Sequence, residues 1–285
     1  FINQWESEAF RKKLAIGAGQ GQLVDRVAVV TGAGSGLGRA IAVGFARAGA
    51  CVVLADIDVA SAEETAKLIK EELPSSQSIV LGCNVTDEKS VQAGFEKIMD
   101  EFGGLDILVN AAGVAPAGPM TEIPVAKWRF ALEVNLTGYF LMAQNAAKLM
   151  ISQGMAGCII NLTSKSGLEA SKNNTPYNAT KAGEIHMARG WALELGRYGI
   201  RVNCVAAGNV FEGSKIWNPQ YIAECAKKYS ITPEEVIPYY VSKTALNKEI
   251  KGQDIADSIV FLCSDNARKI TGQTIVTDAG QVMVR

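Results

Sequence analysis

The sequence is poor in the residues on which most metalloenzymes and nucleophilic hydrolases depend. Its 285 residues include one histidine, His186, and none of its six cysteines belongs to a C-x-x-C pair. A zinc site or a Ser-His-Asp triad needs such residues at suitable positions, so we expect neither, and no metal cofactor. We interpret the dispersed cysteines as buried, reduced thiols, which predicts a cytoplasmic protein.

Long apolar runs and an excess of one charge are also absent. No stretch of about 18 apolar residues is available to span a membrane, and residues 1–13 lack the continuous apolar region of a signal peptide. The 28 basic and 29 acidic residues give a formal net charge of -1. This balance predicts neither a nucleic-acid nor a membrane partner, and is compatible with a small-molecule substrate.

Short β-branched runs alternate with longer amphipathic segments from residue 26 onward. Seven runs are predicted strands: 26–31, 51–56, 78–83, 105–110, 157–163, 200–206 and 273–277. Predicted helices lie near 37–48, 59–72, 87–102, 124–152, 175–198 and 252–263. Because the strand runs are apolar throughout, both faces of the sheet should be covered. The pattern predicts an α/β fold with a single doubly wound parallel sheet of the Rossmann type, about seven strands with helices on both faces.

Two segments stand apart from this alternation. Residues 1–22 are predicted to form an N-terminal arm that packs on the core or on a neighbouring subunit, with a remnant of an upstream domain as the alternative. Residues 23–285 are predicted to form one dinucleotide-binding domain. Its connection at about 209–245 is long for a compact domain, which suggests a substrate lid with a short helix at Pro219–Tyr229.

A glycine-rich turn, TGAGSGLG at 31–38, follows the first predicted strand and opens the first helix. Glycines at this junction let backbone N–H groups approach a pyrophosphate at the positive end of the helix. Its predicted cofactor-binding residues are Gly32, Ser35, Gly36, Leu37 and Gly38.

The residues that end the second strand indicate which dinucleotide binds. Asp56 is expected to accept hydrogen bonds from the adenosine ribose hydroxyls and to repel a 2′-phosphate. Ile57, which follows Asp56, is also a predicted cofactor-binding residue, and neither Ser35 nor Ile57 offers a cation to such a phosphate. We therefore predict NAD rather than NADP, with a strand-end capping role as the alternative for Asp56.

Two further strand ends are predicted to contact the cofactor, although either could be an ordinary turn. The side-chain oxygen of Asn84 could accept from the adenine amino group, and Val85 could flank the ring. The small residues of the next strand end would let backbone lie against the cofactor; this segment is Asn110, Ala111, Ala112 and Gly113. Ligands of open α/β sheets bind at such carboxyl ends.

Tyr177 and Lys181 are four residues apart in a predicted helix and therefore share one face. An ammonium beside a phenol favours the phenolate, so Tyr177 could exchange a proton near neutral pH. Ser164, which ends the fifth strand, could hold the substrate oxygen during that transfer. Asn135, in a helical segment, could hold a water that links Lys181 to solvent, or could lie on a helix surface.

These motifs, in this order, resemble the short-chain dehydrogenase/reductase family over about residues 24–285. The resemblance implies hydride transfer between a nicotinamide and a carbonyl or carbinol carbon, with Asn135, Ser164, Tyr177 and Lys181 as the catalytic tetrad. Tyr177 and Lys181 would also contact the cofactor, as would Gly208 and Val210. Two departures are Asn84, where the family usually has an acidic residue, and Ala207-Gly208, where it usually has Pro-Gly.

Less common segments resemble the subgroup of sorbitol-6-phosphate 2-dehydrogenases, which interconvert a hexitol 6-phosphate and fructose 6-phosphate. They include Ser164–Gly167, Gly208-Asn209, the run 233–240 and the ending from Gly272. A phosphosugar requires cations at the cleft mouth. The predicted substrate-binding residues are Lys165, Ser166, Lys172 and Lys215, although each lysine could equally be a solvated surface residue.

Alternative functions stay open at this point. Another carbonyl, such as a 3-oxoacyl thioester or an unphosphorylated ketose, would suit the same chemistry. A non-catalytic dinucleotide sensor is a further alternative, since fold alone does not fix function. The family resemblance also implies a homo-oligomer, a dimer or a tetramer, with which the apolar end at Val282–Val284 is compatible.

Overall fold

The seven apolar runs pair as one parallel sheet in the computed structural model, which describes residues 21–214 and 217–283. The strands are β1 Val27–Thr31, β2 Cys51–Asp56, β3 Ser78–Gly82, β4 Ile107–Asn110, β5 Gly157–Ser164, β6 Ile200–Ala207 and β7 Thr274–Thr277. Their order across the sheet is β3-β2-β1-β4-β5-β6-β7. The winding reverses between β1 and β4, which is where ligands of open α/β sheets bind. The predicted fold class is confirmed.

Helices cover both faces of this sheet. They are α1 Gly36–Arg47, α2 Val59–Glu72, α3 Glu88–Phe102, α4 Val125–Leu132, α5 Gly138–Ser152, α6 Thr175–Leu195, α7 Pro219–Tyr229, α8 Val236–Ser242 and α9 Gly252–Cys263. Strand β1 explains why the strand runs lack a polar side: Ala28 and Val30 pack in the layer with α1 and α9. Val27 and Val29 pack in the opposite layer, with α3, α5 and α6.

The helix predicted at 124–152 is interrupted, which corrects the sequence-based expectation. Helix α4 ends at Leu132, a π-helical turn occupies Glu133–Thr137, and α5 begins at Gly138. The turn contains the fully buried Asn135, whose side chain exchanges hydrogen bonds with both backbone groups of Val114. Apolar periodicity does not reveal one turn of altered pitch, although such turns often occur at functional sites.

The long connection 209–245 carries a small apolar cluster separate from the two main layers. Cys225, Ala226 and Val236 form its buried centre, and α7 and α8 supply most of its residues. Residues 215–216 within this connection, and residues 1–20 of the predicted N-terminal arm, lie outside the described part of the chain. Among the residues that are described, no helix has both the length and the apolar character needed to cross a membrane.

Candidate active site

A cleft of about 1480 Å³ opens along the carboxyl ends of the strands. This volume exceeds the roughly 300–1,000 Å³ of a typical small-molecule pocket, so the cleft has room for a dinucleotide and a second ligand. Parallel pairing brings the strand ends together at one edge: Thr31 pairs with Ala55, and Ser164 pairs with Ala207. Most of the residues predicted from separate motifs therefore line this one cleft.

Two glycines of the turn, Gly32 and Gly38, leave no space for a side chain. Gly32 has a left-handed φ of 67°, and a Cβ atom there would lie 2.9 Å from the Cα atom of Ala112. A Cβ atom on Gly38 would lie 2.0 Å from the carbonyl oxygen of Gly32. Helix α1 begins here with Ser35 as its N-cap, and its first turn has no acidic residue. This backbone cradle at a helix N-terminus fits a pyrophosphate.

The Thr31 hydroxyl joins this turn to the next part of the wall. Its Oγ1 atom accepts hydrogen bonds from the N–H groups of Ala111, at 2.9 Å, and Ala112, at 3.0 Å. This bond pair fixes the predicted cofactor segment against β1. Ala111, Ala112 and Gly113 line the cleft.

Asp56 lies at the end of β2 and is held against the glycine turn. Its Oδ2 atom accepts from the N–H of Gly34 at 2.8 Å, and its Oδ1 atom accepts from the N–H of Asp58 at 2.9 Å. The neighbouring Ile57 side chain is 72% exposed and lines the cleft. Arg39, the nearest cation on α1, donates instead to Gly34, Ser61, Glu64 and Thr65.

The side chains of Asn84 and Asn110, both predicted to contact the cofactor, make hydrogen bonds within the protein instead. The side-chain oxygen of Asn84 already accepts from Thr86 N at 3.1 Å and Thr86 Oγ1 at 2.9 Å, so an adenine contact through this oxygen requires one bond to be replaced. Asn110 is fully buried behind the wall, where it donates to Asn161 and Tyr139. Val85 lines the cleft as expected.

The turn after β6 contains two further predicted cofactor-binding residues, Gly208 and Val210. The N–H of Gly208 donates to Thr277 O at 3.0 Å, and a Cβ atom on Gly208 would lie 2.5 Å from Ile250 Cδ1. Val210 forms a parallel bridge with Ile250 and is buried. The departure from Pro-Gly therefore still gives a tightly packed turn, and both Gly208 and Val210 line the cleft.

Tyr177 and Lys181 lie on one face of α6 and both line the cleft. The Nζ atom of Lys181 lies 5.6 Å from the centroid of the Tyr177 ring and 5.3 Å from that of Tyr139. This ammonium donates to Leu162 O at 3.0 Å, and to Glu184 Oε1 and Oε2 at 2.9 and 3.0 Å. The sequence-based reasoning paired Lys181 with Tyr177 and missed Glu184, although a spacing of three on a helix is itself a signal.

Ser164 and Asn135 approach the same region from different elements. Ser164 ends β5, and its Oγ atom accepts from the N–H of Ser166 at 3.1 Å. This bond uses a lone pair and leaves the hydroxyl hydrogen for another acceptor. Asn135 does not line the cleft, and its Nδ2 atom donates to Thr180 Oγ1 at 3.0 Å. The water link through Asn135 stays a prediction.

The part of the cleft beyond Ser164 is rich in cations and aromatic rings. Lys165, Ser166 and Lys172 line it as predicted, whereas Lys215 lies outside the described residues. The sequence-based reasoning missed the other cations, which are Arg129, Lys227 and Lys228. Helix α7 was predicted, so the two lysines of its last turn were open to inference. Aromatic side chains from 209–245 face them: Trp217, Tyr221, Tyr229 and Tyr240.

The half-buried Lys165 is the cation nearest to Ser164 in sequence. Burial lowers the pKa of its ammonium, Glu169 and Asp278 oppose that change, and Lys228 adds to it. Lys165 and Lys228 both line this part of the cleft. Two ammonium groups that line one cleft are expected to attract an anionic group.

Comparison with known proteins gives one matching family model and many relatives. The model, described as enoyl-(acyl carrier protein) reductase, matches residues 32–281. The sorbitol-6-phosphate 2-dehydrogenase of Escherichia coli is 36% identical over 262 residues, covering 91% of this chain and 100% of that protein. The uncharacterized oxidoreductase YuxG of Bacillus subtilis is 36% identical over 279 residues, or 98% of this chain, which spans only 40% of that relative's length.

Solved structures give the same result. The sorbitol-6-phosphate 2-dehydrogenase SrlD of Erwinia amylovora has a TM-score of 0.83 and 38% identity, over 90% of this chain and 100% of that one. A 7α-hydroxysteroid dehydrogenase complexed with NADH and 7-oxo glycochenodeoxycholic acid has a TM-score of 0.80 and 33% identity. That match covers 91% of this chain and 95% of the other.

Proposed function

The chain belongs to the short-chain dehydrogenase/reductase family and is an oxidoreductase that binds a nicotinamide cofactor. From that premise we propose that it is an NAD-dependent dehydrogenase of a sugar alcohol phosphate, which interconverts sorbitol 6-phosphate and fructose 6-phosphate. The observation that carries the substrate proposal is that Lys165, which directly follows Ser164, and Lys228 line the same cleft as Ser164.

The protein's own contribution to this reaction is proton transfer and orientation. A bound nicotinamide dinucleotide supplies the hydride chemistry, and the cradle at Gly32–Gly38 and Asp56 would hold it. Ser164 orients the substrate oxygen through its hydroxyl group. Tyr177 accepts the hydroxyl proton when the alcohol is oxidised and returns it when the ketone is reduced. Lys181 holds a positive charge beside the Tyr177 ring and so stabilises the phenolate.

The preference for NAD rests on the charges around Asp56. Its carboxylate is fixed at the end of β2 by two backbone N–H groups. A 2′-phosphate beside it would meet like charge, while the Arg39 guanidinium is already bonded to Glu64 and Thr65. These contacts favour NAD, which accords with a structurally similar dehydrogenase that was solved with NADH.

A substrate and cofactor screen tests this proposal. The purified chain is assayed with sorbitol 6-phosphate, sorbitol and a 3-hydroxyacyl thioester, each with NAD and with NADP. We expect the highest kcat/KM for sorbitol 6-phosphate with NAD. Equal rates for sorbitol would remove the phosphate requirement, and a preferred thioester would favour the acyl reductase alternative. Equal use of NADP would contradict the cofactor assignment.

Cellular location and assembly are part of the same proposal. All six cysteines are buried and unpaired with one another, which favours a reducing compartment such as the cytoplasm. Large apolar side chains remain exposed on the described surface, including Phe140, Phe261 and Met283. We expect a homodimer or homotetramer, which light scattering of the purified protein would measure.

A further inference from the structure

One buried charged side chain has no part in the mechanism proposed above. Glu184 lies on α6 three residues after Lys181, and its side chain has no exposed surface. The Lys181 ammonium donates to both of its carboxylate oxygens, at 2.9 and 3.0 Å. An ionisable group is costly to bury and is usually paired where it occurs. Here its partner is the lysine that also faces Tyr177.

The helix that carries this pair is fixed against β5 from behind. Asn161 Nδ2 donates to the carbonyl oxygen of Glu184 at 3.2 Å, and Thr163 Oγ1 donates to that of Lys181 at 2.9 Å. The Leu162 carbonyl oxygen accepts from both Lys181 Nζ and the Tyr139 hydroxyl, each at 3.0 Å. The distance from the ammonium to the Tyr177 ring is therefore set by the sheet as well as by the helix.

We propose that Glu184 is a positioning residue that acts through Lys181 to set the pH at which Tyr177 ionises. An ammonium near the phenol favours the phenolate, whereas a carboxylate in contact with that ammonium offsets part of its charge. Ionised Glu184 therefore weakens the effect of Lys181 on Tyr177, and protonated Glu184 restores it. This inference rests on the proposed role of Tyr177 in proton transfer.

The charge on Glu184 changes in the pH range where the enzyme would work. Burial raises the pKa of its carboxyl to about 7, against the opposing effects of Lys181 and Thr163. Burial also disfavours the charge on Lys181, but Glu184, Tyr139 and Tyr177 together outweigh it and raise the pKa of this ammonium. Lys181 therefore stays positive while Glu184 gains or loses its proton.

Three other titratable groups face this region from neighbouring elements, Tyr139 and Cys204 near the pair of Lys181 and Glu184, and Tyr221 near Tyr177. Burial raises the pKa of Tyr139 on α5 and of Tyr221 on α7, and raises that of Cys204 on β6 to about 12. Each of these groups is neutral near pH 7. Among these described neighbours, Glu184 is the one whose charge changes near pH 7.

The decisive variant is Glu184→Gln, which keeps an acceptor for Lys181 but removes the negative charge. We expect the pH limb of kcat/KM that reports Tyr177, measured with sorbitol 6-phosphate and saturating NAD, to move to lower pH by about one unit. Glu184→Asp keeps the negative charge but on a shorter side chain, which offsets less of the Lys181 charge. The pH limb of kcat/KM for this variant should also move to lower pH, by less than in Glu184→Gln.

A second measurement does not depend on substrate turnover. Tyrosinate formation is followed by ultraviolet absorbance during a pH titration of each full-length protein and of the same protein carrying Tyr177→Phe. The difference between the two curves isolates Tyr177. Its midpoint should move to lower pH in Glu184→Gln by the same amount as the kinetic limb.

The possible outcomes separate this inference from the proposed function. A rate loss at every pH, with limb and midpoint unmoved, would make Glu184 a purely structural residue and overturn the inference. Full activity in Tyr177→Phe would instead overturn the proposed mechanism. If circular dichroism shows that Glu184→Gln does not fold, Glu184→Asp decides: a shift to lower pH supports the inference, and an unmoved midpoint refutes it.

Discussion

The two ends of the cleft are built on different principles. At the glycine end, formed by residues 31–38 with Asp56, backbone packs on backbone, and a single added Cβ atom on Gly38 would lie 2.0 Å from a carbonyl oxygen. At the cap, the described part of residues 209–245, aromatic side chains from short helices pack around their own apolar cluster. The ring centroids of Trp217 and Tyr240, for example, are 5.2 Å apart.

This difference indicates which properties each end controls. The glycine end is continuous with the buried sheet, so its shape is fixed wherever the sheet forms. The cap contacts the cleft through side chains, so substitutions there can change the ligand without disturbing the sheet. Cofactor and chemistry are therefore expected to be robust, whereas substrate choice depends on a few exposed residues of the cap and the adjoining wall.

Tyr177 lines the cleft that both ends share, and its substitution should have the largest effect. Tyr177→Phe removes the proton donor and acceptor, so kcat should fall by about 10²–10⁴-fold. The assay is NAD reduction with sorbitol 6-phosphate, alongside NADH binding by fluorescence, which should change little. Tyr198→Phe, at an exposed position, is the control and should keep full activity. A fully active Tyr177→Phe protein would mean that another group carries the proton.

Gly38→Ala tests whether the glycine end tolerates a side chain. The added methyl group would meet the carbonyl oxygen of Gly32, so we expect stability to fall by about 1–3 kcal/mol. NADH affinity should also fall, because the cradle must move. The control is Gly190→Ala on α6, where nothing lies within 4 Å and a gain of about 0.5–1 kcal/mol is expected. Urea unfolding measures the stability of both variants. Equal changes in the stability of Gly38→Ala and Gly190→Ala would contradict the account that backbone packs on backbone at this end.

Asp56→Ala tests the charge at the glycine end without adding volume. Loss of charge-assisted hydrogen bonds, worth about 1.5–3 kcal/mol, should weaken NAD binding by roughly 10–100-fold and reduce discrimination against NADP. Asp58→Ala is the matched control, because Asp58 caps α2 by accepting from Ser61 N at 3.2 Å. It should cost about 1 kcal/mol of stability and leave the cofactor ratio unchanged. An unchanged ratio in Asp56→Ala would refute the assignment.

The smallest effects are expected near the cap. Lys165→Ala or Lys228→Ala should lower kcat/KM for sorbitol 6-phosphate by about tenfold, since each removes one charged contact. The rate with sorbitol, which has no phosphate, should stay the same. Lys148→Ala on α5 is the control, because that side chain bonds to Gln144 and does not line the cleft. Equal losses with both substrates would show that the lysines support the fold and not the phosphate.

Features set by local sequence were predicted well. The seven strands, the turn at 31–38 and the shared face of Tyr177 and Lys181 follow from apolar periodicity, glycine placement and helical spacing. Exceptions arose where the backbone departs from a regular repeat, as at the π-helical turn Glu133–Thr137.

Other side chains could not be placed from their position in the chain. Asn84 lies two residues beyond the end of β3, and Asn110 ends β4. The side-chain oxygen of Asn84 accepts from Thr86, whereas Asn110 lies behind the cleft wall and donates to Asn161. Strand-end position indicates which edge of the sheet a residue occupies. It does not determine which of several nearby donors and acceptors the side chain will meet.

The sequence by itself determined the strands, the glycine-rich turn and the order of the proposed catalytic residues, because each depends on residues within one or two turns or strands. Only the tertiary structure decided that Glu184 shares the Lys181 ammonium and that Lys228 lines the same cleft as Lys165. The physical reason is that burial and electrostatic interaction depend on which distant elements pack together. Packing against β5 and α5 turned an ordinary helical pair into a buried ion pair beside Tyr177.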